Sequence, residues 1–277
     1  MYILGVDSST KILSAALSRD NKTIGRIEDG RSEKFMVNII PAIDGLLKKS
    51  RIDLSAIDIF AVNIGPGDFT GTRIGIGILK TFALIENKPI FGIDSLDVFV
   101  VQFFIYNFSN IAAVLAKNNY VLIAPVLDVK RSELFFSFYM VSFYDDEKEK
   151  TIEILVNGKP YFLNKFTRNY LIDSENFISD FSKLLLSAQL NLTDINKTLI
   201  IAGGTAFDSY KMLVQDMKRL DHKFIFERKG MYPKAEFLNL CVYSRFKKTV
   251  GNKAGNFQKQ EILGDKLVKP FYVREFF

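Results

Sequence analysis

The 277-residue sequence predicts a duplicated α/β fold on three observations. Short apolar runs bounded by turn residues read as strands, and stretches with apolar residues at helical spacing alternate with them. The resulting order, βββαβαβα, occurs twice, predicting lobes at 1–118 and 119–277.

In the first lobe Tyr2 to Val6 is an apolar strand, Asp7-Ser8-Ser9-Thr10 a turn and Ile12 to Leu17 the antiparallel mate, with Thr23 to Glu28 next in the meander. A helix is predicted from Glu33 to Lys49, with Met36, Ile40, Ile43 and Leu47 as one stripe, Ile39 and Leu46 also at helical spacing, and Pro41 as a kink. Ile59 to Ile64 reads as a buried strand that ends at Gly65-Pro66-Gly67. The next helix runs to about Glu86 and is capped by Asp68 or Thr70, whose side-chain oxygen accepts a first-turn N–H. Ile74, Ile78, Phe82 and Ile85 recur along it, while Gly71, Gly75 and Gly77 interrupt it, each costing about 1 kcal/mol relative to alanine. Two explanations are open: the glycines admit a second helix or a ligand, or Gly71 belongs to the turn and the others pack within the domain. A glycine loop opening a helix also suits a phosphate, a weak signal without a lysine in the loop. Pro89 to Ile93 is then a strand, and Ser95 to about Lys117 one long helix.

The second lobe repeats the order more loosely. Val121 to Leu127 is a strand, Asp128-Val129-Lys130-Arg131 a turn, Glu133 to Phe143 the hairpin mate and Thr151 to Val156 a third strand. A helix over Asn176 to Leu190, a strand Leu199 to Ala202 ending in Gly203-Gly204, a helix Phe207 to Leu220, a weak strand Lys223 to Phe226 and a helix from Pro233 to Lys247 follow. Proline suits that first turn because its missing N–H needs no partner there. Val250 to Gly264 reads as a basic linker and Leu267 to Val273 as a returning strand.

Composition narrows the chemistry. Cys241 and His222 are the single cysteine and histidine, which excludes an internal disulfide framework and cysteine- or histidine-paired metal sites. Cys241 lies among Leu238, Leu240 and Val242 and reads as a buried, inert thiol, which argues against a protease. The net charge is +6, from 37 basic and 31 acidic residues, with the lysines scattered rather than striped, a mild pointer to work near RNA. Leu96 to Ala116 contains Asp97, Gln102, Asn107, Ser109 and Asn110 and falls short of a membrane span. With no export signal visible at the start, a cytoplasmic location is expected.

An acidic hairpin turn opening each half resembles the actin, sugar-kinase and heat-shock-ATPase superfamily, in which those turns grip phosphate and metal and a later Gly-Gly holds adenosine; Asp7, Asp128 and Gly203-Gly204 stand there. GVDSST at the start, GPGDFTGTRIG at 65–75, GIDSL at 92–96, LDVKRSELFFSFY at 127–139, MYPKAEFL at 231–238 and KPFYVRE at 269–275 resemble, in order, the signatures of the TsaB (YeaZ) family. That family commonly shows His-Ser-Glu just ahead of a Leu-Leu-Pro in its first helix; here Arg31-Ser32-Glu33 lies four residues further from Ile39-Ile40-Pro41 than expected, and anchoring on the proline places Phe35-Met36-Val37 there instead. The resemblance implies a non-catalytic subunit that binds TsaD and supports formation of N6-threonylcarbamoyladenosine at position 37 of tRNAs reading ANN codons. It further implies a TsaE-like ATPase partner, a homodimer when alone, possible tRNA contact within the complex, and no cofactor or metal.

The helix SLDVFVVQFFIY has no histidine where TsaD carries a His-x-x-x-His metal pair, so the transferase role itself is excluded. Ser9 replaces the glycine usual in phosphate turns, leaving Asp7, Ser8, Ser9, Thr10, Asp128, Gly203 and Gly204 as a vestigial nucleotide site, with Asp128 and Arg131 pairing with each other or facing water. The helices 33–49 and 70–86 carry more apolar residues than one face needs: Phe35 and Val37 lie off the first stripe, and Ile76, Leu79 and Ala83 off the Ile74-Ile78-Phe82 stripe. By the resemblance the expected partner surface is Phe35, Met36, Ile39, Ile43, Gly71, Arg73, Ile74, Gly75, Ile78 and Phe82, the other reading being that all of this is core against the sheet. The alternative is a small-molecule kinase using Asp7 and Asp128 around magnesium ATP.

Overall fold

The computed structural model describes residues 1–30, 38–117, 119–144, 151–189, 197–220, 222–227 and 231–252. Strands β1 (Tyr2–Asp7), β2 (Leu13–Arg19) and β3 (Lys22–Asp29) form the predicted meander, while β4 (Ile59–Gly65) runs parallel to β1 and β5 (Ile90–Asp94) parallel to β4. The sheet order is β3-β2-β1-β4-β5.

One face of this sheet, carrying Leu4, Val6, Leu13, Leu17, Phe60 and Val62, packs with helices α1 (Ile39–Ser50) and α2 (Phe69–Ile85). Pro41 falls in the first turn of α1, where no backbone hydrogen bond is lost, so the predicted kink has no cause. Helix α3 (Ser95–Tyr106) and helix α4 (Phe108–Leu115) replace the single long helix expected, bent by 78°. The break is at Asn107, whose side-chain amide donates to the Phe103 carbonyl at 3.0 Å and to Glu227 at 2.7 Å, competing with the helix ladder. Among the described residues no single helix is long and apolar enough to cross a membrane.

The second sheet repeats the logic of the first. β6 (Tyr120–Asp128) pairs antiparallel with β7 (Glu133–Phe136) and β8 (Tyr139–Ser142), and parallel with β12 (Thr198–Gly203), which pairs parallel with β13 (Lys223–Glu227). An antiparallel mate, a central strand and two parallel strands recur as β2-β1-β4-β5 did. The predicted mate, Glu133 to Phe143, keeps one register against β6 but splits at Ser137-Phe138, which turn to bond Thr167 and Phe166 instead. β9 (Thr151–Val156) was expected; β10 (Lys159–Lys165) and β11 (Tyr170–Asp173), which extend the sheet, were not. Helix α5 (Phe177–Gln189) packs Phe177, Phe181 and Leu185 into this core, and the predicted helix 207–220 is two short pieces, α6 (Ala206–Ser209) and α7 (Leu213–Lys218).

Helix α8 (Ala235–Asn252), which starts two residues after Pro233, returns to the first sheet. Its Asn239 lies over Gly5, where a Cβ would overlap the amide, and donates to the carbonyls of Ile3 and Ala16. The compact units are Met1–Val98 with the described residues from Pro233 on, and Phe99–Tyr232. The predicted returning strand 267–273 and nearly all of the basic linker lie outside the described residues.

Candidate functional site

The GPGDFTGTRIG stretch builds the junction between β4 and α2, and its partner is the turn after β1. Asp68 caps α2, accepting from the Gly71 N–H at 2.6 Å, which decides between the two predicted caps. Ahead of the helix the Asp68 N–H donates to the Ser9 carbonyl at 2.5 Å. The Ser8 hydroxyl donates to the Gly71 carbonyl at 2.8 Å. A Cβ on Gly67 would overlap the Ser9 carbonyl, one on Gly71 the Ser8 carbonyl, and one on Gly75 the Ser8 hydroxyl. Glycines four apart thus form a groove that receives the turn. Of the two explanations open for the helix glycines, packing within the domain holds for Gly71 and Gly75. Gly77 is different: it is exposed, and among the described residues a Cβ there would meet nothing within 4 Å.

Beneath this groove Asp7 is fully buried. One carboxylate oxygen accepts from the Ser9 N–H at 3.0 Å and hydroxyl at 2.7 Å, and the other from the Asn63 side chain at 2.5 Å. Asn63 in turn accepts from the Gly65 N–H at 2.7 Å and the Ser95 hydroxyl at 3.0 Å. Burial pushes the Asp7 carboxyl up to about 6, against the opposing pull of the Ser9 and Asn63 hydrogen bonds. Asn63 and Ser95 were not singled out from the sequence. The available signal was a polar side chain inside the apolar run 59–64.

The second acidic turn is wired differently. Asp128 accepts from the Lys130 N–H at 2.8 Å, the Ser209 hydroxyl at 2.6 Å and the Lys130 ammonium at 3.3 Å, while its own N–H donates to Thr205. Burial alone would raise this carboxyl, but those hydrogen bonds and the Lys130 charge together hold it below the ordinary value. The expected pairing with Arg131 is thereby replaced by Lys130 and Ser209. A Cβ on Gly203 would crowd Phe103 and Glu227, and Gly204, at φ 115°, lies against the Val126 carbonyl, so this pair packs a strand end as a turn. Thr10 bonds locally to Ile12.

The predicted partner surface divides sharply. Phe35 and Met36, with Arg31-Ser32-Glu33 and Val37, lie outside the described residues. Ile39 and Ile43 are core residues at 0% and 2% exposure, so they present no surface. Gly71 and Gly75 are taken by Ser8. On α2 the supposed surplus, Ile76, Leu79 and Ala83, is the buried face, whereas Ile74, Ile78 and Phe82 are half-buried against the same core. The stripe was displaced because the glycines, not the isoleucines, mark where α2 touches the turn. Exposed along α2 are Phe69 (56%), Leu84 (73%) and Ile85 (70%), with Arg73 stacked 3.8 Å over the Phe69 ring, and Ile40 (53%) is exposed on α1.

Comparison with known proteins bears on this junction, which lies inside the stretch 26–133 matched by a family model described as TsaD, tRNA N6-adenosine threonylcarbamoyltransferase. Proteins named tRNA threonylcarbamoyladenosine biosynthesis protein TsaB are similar to the chain. That of Escherichia coli is 36% identical over 35% of this chain and 41% of its own length, and that of Haemophilus influenzae 32% over 50% and 59%. The chain is similar to the TsaB family. It spans about half the length of the curated TsaB relatives it matches. Among solved structures, YeaZ from Pseudomonas aeruginosa covers 98% of this chain and 99% of its own with a TM-score of 0.63 at 17% identity, which shows a common fold. That fold is a two-sheet α/β architecture.

Proposed function

We propose that this TsaB-like chain is a non-catalytic scaffold, docking on a TsaD-type transferase through the outward side of α2 and the neighbouring part of α1. In that role it supports formation of N6-threonylcarbamoyladenosine at position 37 of tRNAs reading ANN codons, in the cytoplasm, with a TsaE-like ATPase as further partner and a homodimer as its state alone. The observation that carries the reading is Gly77. A glycine in the middle of a helix costs about 1 kcal/mol, and among the described residues nothing lies within 4 Å of where its Cβ would stand. Flanked by exposed Leu84 and Ile85, it leaves room for the backbone of another helix. The kinase alternative draws no support from the junction, because both oxygens of Asp7 are bonded to Ser9 and Asn63.

The test is binding of purified chain to a purified TsaD-type subunit by calorimetry. Gly77→Glu places a charged side chain on the proposed contact, its Cβ meeting nothing within 4 Å among the described residues, and is expected to abolish the heat of binding with a melting temperature no lower than that of wild type. Wild-type affinity in that variant would refute the proposed surface.

A further inference from the structure

The Asp7–Ser9 turn does no ligand chemistry in the reading above, yet it is among the most tightly bonded parts of the first unit. Asn63 and the Ser9 N–H and hydroxyl hold the Asp7 carboxylate. The Ser9 carbonyl accepts from the Asp68 N–H, Asp68 caps α2, and the Ser8 hydroxyl donates to the Gly71 carbonyl. Gly67, Gly71 and Gly75 carry no side chain where the turn presses in.

A helix seated this closely has its position fixed by hard contact. The Ser8 hydroxyl occupies the space beside Gly75, so any atom added there must either displace Ser8 from its hydrogen bond or lift α2 off the sheet. Lifting α2 moves Gly77, Leu84 and Ile85 with it, since they belong to the same helix.

We infer that the former phosphate turn is now a positioning element, in which Ser8, seated between Gly71 and Gly75 on the Asp7 network, sets the placement of α2 and so the affinity for the partner that α2 meets. This rests on the docking role proposed above and assigns that role a control point the partner does not touch. The steric detail supplies its own test. Apart from the Ser8 hydroxyl, a Cβ at position 75 would meet the Ser8 Cβ at 3.5 Å and Val62 at 3.8 Å, both ordinary contacts. Removing the hydroxyl therefore makes room for the methyl.

The experiment measures affinity for the TsaD-type subunit, well below the melting midpoint, for wild type, Gly75→Ala, Ser8→Ala and the double variant. Gly75→Ala is expected to weaken binding by about tenfold, and Ser8→Ala in the same chain to restore it to within about threefold of wild type, because the two sites are coupled by contact. Melting temperatures, followed alongside, report packing alone. A Gly75→Ala chain that melts lower yet binds as wild type would overturn the inference and leave the docking surface standing. So would a double variant no better than Gly75→Ala. Absence of binding by the wild-type chain would overturn the docking reading and this inference with it.

Discussion

Asn63 donates its side-chain amide to the buried Asp7 carboxylate, tying the end of β4 to the end of β1 at the point where the chain turns toward α2. Because Asn63 also accepts from Gly65 and Ser95, it serves three partners that water does not reach. Replacing it with leucine leaves the Asp7 carboxylate and the Gly65 N–H short of a bond, while the Ser95 hydroxyl keeps the Pro66 carbonyl at 2.8 Å. Hydrogen bonds to charged groups contribute about 1.5–3 kcal/mol each, so Asn63→Leu is expected to lower unfolding free energy by roughly 3 kcal/mol. Urea unfolding followed by circular dichroism measures this; an unchanged midpoint would mean the network contributes little.

Asp7 should also give the protein a distinctive acid response. Its carboxyl rises from an ordinary 3.8 to about 6 on folding, so between those values the native state binds more protons than the unfolded chain. Its stabilising contribution is full at and below the lower value and is lost as pH rises through the upper one, by about 3 kcal/mol. The difference in unfolding free energy between wild type and Asp7→Ala is therefore expected to be larger at acid pH than at neutral pH. A difference that grows with rising pH would show that Asp7 titrates low.

The two helix glycines should respond oppositely to the same change. Gly77→Ala removes a helix-breaking residue from an open position and is expected to stabilise the chain by up to about 1 kcal/mol. Gly75→Ala brings the same propensity gain but forces a methyl onto Ser8, with an expected net loss of about 1–3 kcal/mol. Paired melting curves decide it, and stabilisation by both would mean that Ser8 yields without cost.

Cys241 is fully buried, and burial pushes its thiol well above its ordinary value, with the nearby Asp97 carboxylate adding to the effect. It is expected to react with Ellman's reagent only as fast as the protein unfolds. Prompt stoichiometric labelling of the folded chain would contradict the packing of α8.

What the sequence revealed, and what it hid, follows from how local each signal is. The meander, the buried strand 59–64 and a cap at Asp68 or Thr70 were legible because alternation, turn residues and capping oxygens act over a few positions. The inert Cys241 followed from its apolar neighbours. Asn107 broke a helix that its apolar periodicity had drawn as continuous, because its amide finds Glu227, a partner far along the chain. The orientation of α2 failed for a similar reason. Isoleucine spacing gave a plausible stripe, but the buried face was set by where Ser8 needed space, and a serine in a turn more than sixty residues away leaves no periodic trace on the helix. The glycines were noticed, yet nothing in the sequence distinguished Gly75, which faces the turn, from Gly77, which is exposed. Strands β10 and β11 were missed because their mixed polar and apolar residues carry too weak an alternation to stand out.

The measurement that tests the central claim most directly is mass spectrometry of tRNA nucleosides from cells depleted of this protein and complemented with wild-type, Asp7→Ala or Gly77→Glu chains. The account predicts that N6-threonylcarbamoyladenosine falls on depletion, returns with the wild-type chain and with any folded Asp7→Ala chain, and does not return with Gly77→Glu. An unchanged nucleoside level on depletion, or full rescue by Gly77→Glu, would contradict it.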